Sequence, residues 1–510
     1  MTRSRQFVRG VGSSWLATLA TVLYSLLSVP IALRYLTTEE FGLFVLLLQV
    51  ATYFGLVEIG MASATSRILI DHKDCPDDGE YGSTILTGFC VFAVQALVVL
   101  TVGLVAAPWI VAAIGVPAKF NEVATLLLRW LAFTSALTLA SRVYGSLLYA
   151  NKRLDLINAL MGGSVLFGLA VLTIILSTGG GLAGLVWLFF SQAVFSIIFS
   201  ILACHWLGLF PRKGKWGRPS LKRFKEIFVF GKDIFLFNVG NQVLEASQLI
   251  IVTRAMGLPA AAVWSVSTKL FMLVYQLVTK LEGTAIVFFS EMMVRGETGR
   301  LAARFRQVYQ MTAGVAVVAL AVVVSLNAPF VSVWASTSLA WSVQLSALMA
   351  LVVLGNALTR CSADLIIHSK SLGAFRFLCF AEAIAFVLLA LWLSGRFGFY
   401  GILAASLACL IVFRATYTTW RVARYFHLPA TTFWSSWLKR PIVAAFVLLP
   451  FMLSAEWISS GAPSAWTQLV IAGFWIGIPA VITLFTLALP RDVKEEICLR
   501  WRQPLLFKQY

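Results

Sequence analysis

The chain has 510 residues, of which 60% are hydrophobic and only 12% charged, with a mean hydropathy of +0.87. Soluble domains carry roughly 25% charged residues, so this composition excludes one, along with collagen-like, disordered and disulfide-scaffold chains. Forty Lys and Arg against 22 Asp and Glu give a net charge of +18, and the long apolar runs make that a signal of membrane orientation rather than of nucleic-acid binding.

A helical span needs about 20 mainly apolar residues. Windows of that size predict fourteen spans, at 12–33, 42–66, 83–106, 124–147, 156–176, 182–206, 232–253, 262–289, 308–330, 342–362, 374–393, 399–420, 438–456 and 466–489. Runs this continuous are helices, not the ~10-residue alternating strands of a barrel. Arg3, Arg5 and Arg9 before the first run resemble the start of a signal peptide, but the apolar part is too long and no small-x-small cleavage site follows. The run is therefore expected to remain as the first span. With the N-terminus inside, cytoplasmic segments hold 30 Lys and Arg, and the opposite side holds four: Arg34, Lys119, Arg254 and Arg396. That bias predicts a multi-pass membrane protein with both termini cytoplasmic. Seven Cys are scattered without a CxxC pair and four His form no cluster. Inert thiols are expected, with no metal and no cofactor.

Two halves are related by a shift of 220. Arg34-Tyr35-Leu36 aligns with Arg254-Ala255-Met256, and Gly42-Leu43-Phe44 with Ala262-Val263-Trp264; Gly181-Leu182-Ala183-Gly184 matches Gly398-Phe399-Tyr400-Gly401 at 217. The predicted fold is all-α and polytopic: about 14 transmembrane helices, as two six-helix lobes in parallel repeat plus two C-terminal helices. The N-terminal lobe covers 1–206, a basic cytoplasmic linker 207–231, the C-terminal lobe 232–420, and spans 13 and 14 with a basic tail 421–510. Parallel repeats are a recurring transporter design with substrate bound between the halves. Within 211–232, cations interleaved with Phe predict an amphipathic helix lying on anionic membrane lipid.

The repeat also places polar residues. Ser14, Thr18, Thr21, Ser25 and Ser28 share one face of span 1, and Asn238, Asn241, Glu245 and Gln248 of span 7 stand 220 after the last four. Span 8 continues the pattern with Lys269, Gln276 and Lys280. Small-residue packing explains the Ser/Thr stripe; Asn, Gln, Glu and Lys are too large for it, so the span 7 stripe is expected to line a lumen. Ionisable groups at membrane depth usually face protein or a wet cavity. The basic ones are Arg129, Arg142, Lys269, Lys280, Arg360 and Arg414; the acidic ones are Glu58, Glu245, Glu282, Asp364 and Glu382. Arg142, Arg360, Asp364 and Arg414 sit towards cytoplasmic span ends and can snorkel, Arg129 does so at the other face, and Lys280 and Glu282 fit a cytoplasmic extension of span 8. Lys269, with Arg129 and Arg142, is a candidate for an anionic head group; Glu245, Glu382 and Glu58 are candidates for ion coupling. Arg34 and Arg254, at matching outer ends, anchor their helices or form an outer gate.

Residues 36–67 then carry a resemblance. Leu36-Thr37-Thr38-Glu39-Glu40-Phe41-Gly42-Leu43-Phe44, followed by Gly55-Leu56-Val57-Glu58-Ile59-Gly60-Met61-Ala62, resembles the first hairpin of the polysaccharide transporter family of lipid-linked oligosaccharide flippases. That hairpin has an acidic turn, an aromatic before Gly, and an Asp-Leu-Gly-Leu-like tetrad, for which Glu58-Ile59-Gly60-Met61 stands here. Phe230-Gly231 through Met256-Gly257 and Ser265-Val266-Ser267-Thr268-Lys269-Leu270 resemble the family's second-half opening. The resemblance implies a V-shaped pair of lobes with alternating access, moving a polyprenyl-pyrophosphate-linked sugar repeat unit to the outer leaflet for O-antigen, capsule or exopolysaccharide, alongside a polymerase or export machinery. It also implies a cationic cavity, against which six basic and five acidic in-span residues nearly balance.

Three rivals stand beside it. A drug/cation antiporter of the same superfamily generally depends on a carboxylate in the first helices, where only Glu58 qualifies. A lipid II flippase shares the chemistry. A glycan polymerase or ligase needs catalytic residues in a sizeable loop, and the outer loops here are short. The acidic turn Asp71-His72-Lys73-Asp74-Cys75-Pro76-Asp77-Asp78-Gly79-Glu80 has no partners for a metal, and no Walker-type glycine loop is present.

Overall fold

Backbone polar groups in lipid must be satisfied within the protein, which favours helices. The structure, a computed structural model, describes residues 3–58, 60–72, 79–369, 373–429, 431–459 and 461–489, and among these all regular structure is helical. The helices are α1 (Arg3–Tyr35), α2 (Thr38–Ala51), α3 (Met61–His72), α4 (Glu80–Ala113), α5 (Asn121–Ala140), α6 (Arg142–Ala150), α7 (Leu154–Ser177), α8 (Gly181–Trp206) and α9 (Leu221–Met256). They continue with α10 (Leu258–Ser267), α11 (Lys269–Val294), α12 (Thr298–Trp334), α13 (Val343–His368), α14 (Phe375–Cys409), α15 (Thr416–Tyr425), α16 (Lys439–Ser459) and α17 (Ala465–Thr483). Most of the acidic turn at 71–80 and the whole basic tail from 490 lie outside the described residues.

Twelve stretches among the described residues are long and apolar enough to cross a membrane. One of them, Phe375–Tyr425, runs for 51 residues and holds two of the predicted windows. Gly398 breaks it with φ 55° and ψ −130°, and a Cβ on Gly401 would meet the Leu393 carbonyl carbon at 2.6 Å. Residues eight apart in a continuous helix are about 12 Å apart along its axis, so the chain doubles back there. Gly181 and Gly184, matched to Gly398 and Gly401 in sequence, make the same kind of turn. Gly181 has φ 52°, and Gly184 lies against Ile175, nine positions before it. The window at 232–253 lies on α9, a 36-residue helix that begins with the charged run Lys222-Arg223-Phe224-Lys225-Glu226.

The chain folds as two compact units, Met1–Ser265 and Val266–Tyr510. In the first, α1 presents Leu16, Leu19, Leu23 and Leu27 outward, as a lipid-facing stripe should. Its buried Ala17 and Ala20 pack on Gly162 of α7, the close approach that small residues allow. The half-buried Ser/Thr stripe lies on the face opposite the leucines, with Thr18 and Thr21 donating to the Ser14 and Ala17 carbonyls at 2.8 and 2.9 Å. In the second unit, α12 is the central helix and packs on α11, α13, α16 and α17. Predicted spans 13 and 14 therefore complete that core.

The basic linker differs from expectation. Residues 209–220 form no helix, since Pro211, Gly214, Gly217 and Pro219 interrupt any helical register. This segment is instead pinned to the start of α4. Tyr81 donates to the Leu209 carbonyl at 3.1 Å, Ser83 to that of Arg218 at 2.7 Å, and the Ser220 N–H to the Thr87 hydroxyl at 3.0 Å. Gly217, at φ 62°, fits where a Cβ would meet the Gly79 carbonyl oxygen at 2.5 Å. Helical structure resumes at Leu221, where Arg223 bridges Glu80 and Glu226.

Candidate functional site

Two spans of the first unit are broken side by side. In span 2, α2 tightens into a 3₁₀ turn over Thr52–Glu58, Gly60 takes φ 68°, and α3 restarts at Met61. In span 4, α5 stops at Ala140 and α6 restarts at Arg142. The two restarts meet: Arg142 Nη1 lies 3.3 Å from Glu58 Oε2. Glu58 Oε1 accepts the Ala62 N–H at 3.2 Å, a carboxylate placed on free donors at a helix N-terminus. Gln95 of α4 donates to the Glu58 carbonyl at 3.1 Å, and Ser146 of α6 to that of Ala62 at 3.3 Å. Irregular backbone at membrane depth persists only where protein or a wet cavity satisfies it, and these side chains do so. The Arg142 side chain stays 46% exposed, against 17% for Glu58, so guanidinium donors remain open to an anion.

The polar stripe of α9 borders this break. Gln242 donates to the Thr52 hydroxyl at 2.7 Å. On the same helix Asn238 and Glu245 are exposed, and Asn241 and Gln248 half-buried. Sequence reasoning brought Glu58, Arg142 and the stripe forward as separate candidates and missed Gln242, Thr52 and Gln95. A lone amide inside the apolar run 83–106 was the available signal for Gln95. Other candidates in this unit bind backbone: Arg129 Nε donates to the Leu104 carbonyl at 3.2 Å, and Arg254 to that of Ala113, the last residue of α4, at 2.9 Å. The Arg34 guanidinium lies 5.9 Å from the Tyr35 ring centroid.

In the second unit Lys269 opens α11 and is half-buried, as is Lys280, while Gln276 is exposed. Two charges expected near span ends lie instead inside protein. Arg414, on a π-helical turn at Leu410–Ala415, donates to Glu382 at 3.1 Å and to the Asn356 side-chain oxygen at 3.4 Å. Side-chain exposures of 13% and 3% make this pair a buried one. Glu282 is 3% exposed, not part of a solvated extension; position along a span fixes depth, and helix packing decides burial.

The half-exposed Glu58–Arg142 pair contributes under about 1 kcal/mol by comparison with surface pairs. Glu58→Gln, which keeps an oxygen for Ala62, is therefore expected to shift thermal unfolding in detergent only slightly. A loss of several kcal/mol would contradict this local picture.

The fold is one seen before. A multidrug resistance MATE family transporter of the MOP superfamily, inward-facing, matches with a TM-score of 0.68 at 13% identity over 82% of this chain and 98% of its own. The lipid II flippase MurJ, inward closed, matches at 0.70 and 11% identity over 93% and 98%. A MOP superfamily transporter from Pyrococcus furiosus matches at 0.58 and 13% over 82% and 96%. At such identities the likeness is one of fold. No curated protein sequence matches the chain. The model of a family of polysaccharide biosynthesis proteins matches residues 31–344, well over half of the sequence, and takes in both broken spans, the α9 stripe and Lys269. The chain belongs to this polysaccharide biosynthesis protein family.

Proposed function

We propose that the protein moves polyprenyl-pyrophosphate-linked oligosaccharide repeat units from the cytoplasmic to the outer leaflet of the bacterial cytoplasmic membrane, for a surface or secreted polysaccharide. The observation that carries this reading is the coincidence of a polysaccharide biosynthesis family with a transporter fold shared with a lipid II flippase. The geometry supports it further. A pyrophosphate needs cationic donors beside a polar path, and Arg142, open on one side, stands with Glu58 at a break bordered by the polar stripe of α9.

In this reading Arg142 and Lys269 attract the head group, with Arg129 and Lys280 as further cations. Asn238, Asn241, Gln248 and Gln276 hydrate the path, Arg34 and Arg254 mark its outer end, and Glu58, Glu245 and Glu382 are the carboxylates available for ion coupling. Both termini are cytoplasmic, and a polymerase or export machinery takes the product.

Charge reversal tests the anion site. A charge-assisted hydrogen bond contributes about 1.5–3 kcal/mol, or roughly 10- to 100-fold in affinity. Lys269→Glu is thus expected to slow leaflet transfer in reconstituted vesicles by at least about tenfold at normal expression. Transfer at the wild-type rate would remove Lys269 from the head-group site.

A further inference from the structure

Among the described residues of the second unit, one buried carboxyl group has no hydrogen-bond partner. Glu282, on α11, is 3% exposed, and neither of its carboxyl oxygens has a partner. The hydroxyl of Thr312 on α12, also buried, has none either, and it stands close enough to act on Glu282. Helices α11, α12 and α13 pack together around them. Among the described residues, the charged groups acting on Glu282 are Asp364 and Arg360 of α13. Tyr309 of α12 and Cys361 of α13 are its other titratable neighbours. Asp364 is only half-buried and is influenced by His368 as well as by Arg360, and Arg360 also bonds Tyr275 of α11.

Two carboxyls therefore share one nearby guanidinium. Both cannot ionise there without leaving a negative charge unbalanced, and like charges at close range drive one of them to hold a proton. Of the two, Asp364 is the wetter and has Arg360 beside it. An ionised Glu282 would be a buried carboxylate with no donor, a state proteins avoid by neutralising the group. As a neutral acid it has an O–H to give, and the unpartnered Thr312 oxygen accepts it after a small rotation.

We propose that Glu282 is a proton-binding site of the second unit, loaded when α11, α12 and α13 are packed as seen and emptied when water reaches the carboxyl. The proton comes from water and returns to water; no other reactant is involved. Its use in driving transport rests on the flippase reading, but the protonation does not.

Infrared spectra of the full chain in lipid nanodiscs, recorded from neutral to alkaline pH, test the site. A protonated-carboxyl band is expected at neutral pH in sodium-containing buffer, and it should be lost in Glu282→Gln. Asp364→Asn removes the neighbouring negative charge, so the band should convert to carboxylate at a lower pH than in the wild type. That second shift keeps the test decisive if Glu282→Gln fails to fold. A band unchanged in Glu282→Gln, unmoved in Asp364→Asn, or present only after sodium is withdrawn would overturn the proposal. In vesicles, collapsing the pH gradient should slow leaflet transfer by the wild type and not by Glu282→Gln. If no lipid-linked glycan moves at all while the band behaves as stated, the flippase reading fails and the proton site stands.

Discussion

Replacing Glu382 with Ala is expected to lower the stability of the protein by about 3–5 kcal/mol, the usual consequence of removing one partner from a buried ion pair. Arg414 is the group left behind. Its side chain is 13% exposed, and once Glu382 is gone the Asn356 oxygen at 3.4 Å is the neutral partner that remains. The π-helical turn at Leu410–Ala415 fixes where the guanidinium points, because the extra residue in the turn rotates the positions after it relative to a regular helix. Replacing both members by apolar residues, as in Glu382→Leu with Arg414→Met, is expected to recover most of the loss, since buried pairs exchange for apolar groups at little net change. Thermal unfolding of the purified protein in detergent reads both effects. A single variant as stable as the wild type would mean that the pair is solvated.

The second large effect lies at the glycine hairpins. Gly398→Val is expected to destabilise by about 1–3 kcal/mol, because φ 55° with ψ −130° is a conformation that side chains with a Cβ resist. Gly401→Ala adds a separate penalty of about 1–3 kcal/mol, the range for overpacking, because its methyl would press on the Leu393 backbone. The matched pair in the first unit behaves unequally. Gly181→Val also places a side chain at a positive φ, 52°. Gly184→Ala meets the Ile175 Cγ2 methyl at 2.6 Å, the end of a side chain that can move aside. It should cost clearly less than Gly401→Ala. Equal losses from the two Ala variants, measured by thermal unfolding, would contradict the difference between backbone and side-chain contact.

The sequence exposes much of this architecture because the membrane reduces it to a few rules. Apolar windows mark the spans, and the 217-residue match of Gly181–Gly184 with Gly398–Gly401 marks two hairpins whose leading glycines both take positive φ. What stays hidden is set by contacts between distant segments. Nothing at Ser141 announces a break in span 4, with neither Pro nor Gly at the position; the break shows only where Arg142 meets Glu58. Arg414 and Glu282 look like residues near a water interface when depth is counted along the chain, yet packing buries both. The linker shows the reverse case. Its Pro and Gly residues are visible in sequence, and they argue against the amphipathic helix that charge and aromatic content suggest at 211–220.

The most direct test uses wild-type protein in sealed vesicles, with a labelled polyprenyl-pyrophosphate oligosaccharide placed on one leaflet. Appearance of the lipid on the other leaflet, with its glycan the same size as before, is the predicted result. Lengthening of the glycan, its transfer to another acceptor, or failure of the lipid to cross while a cationic drug does would contradict it.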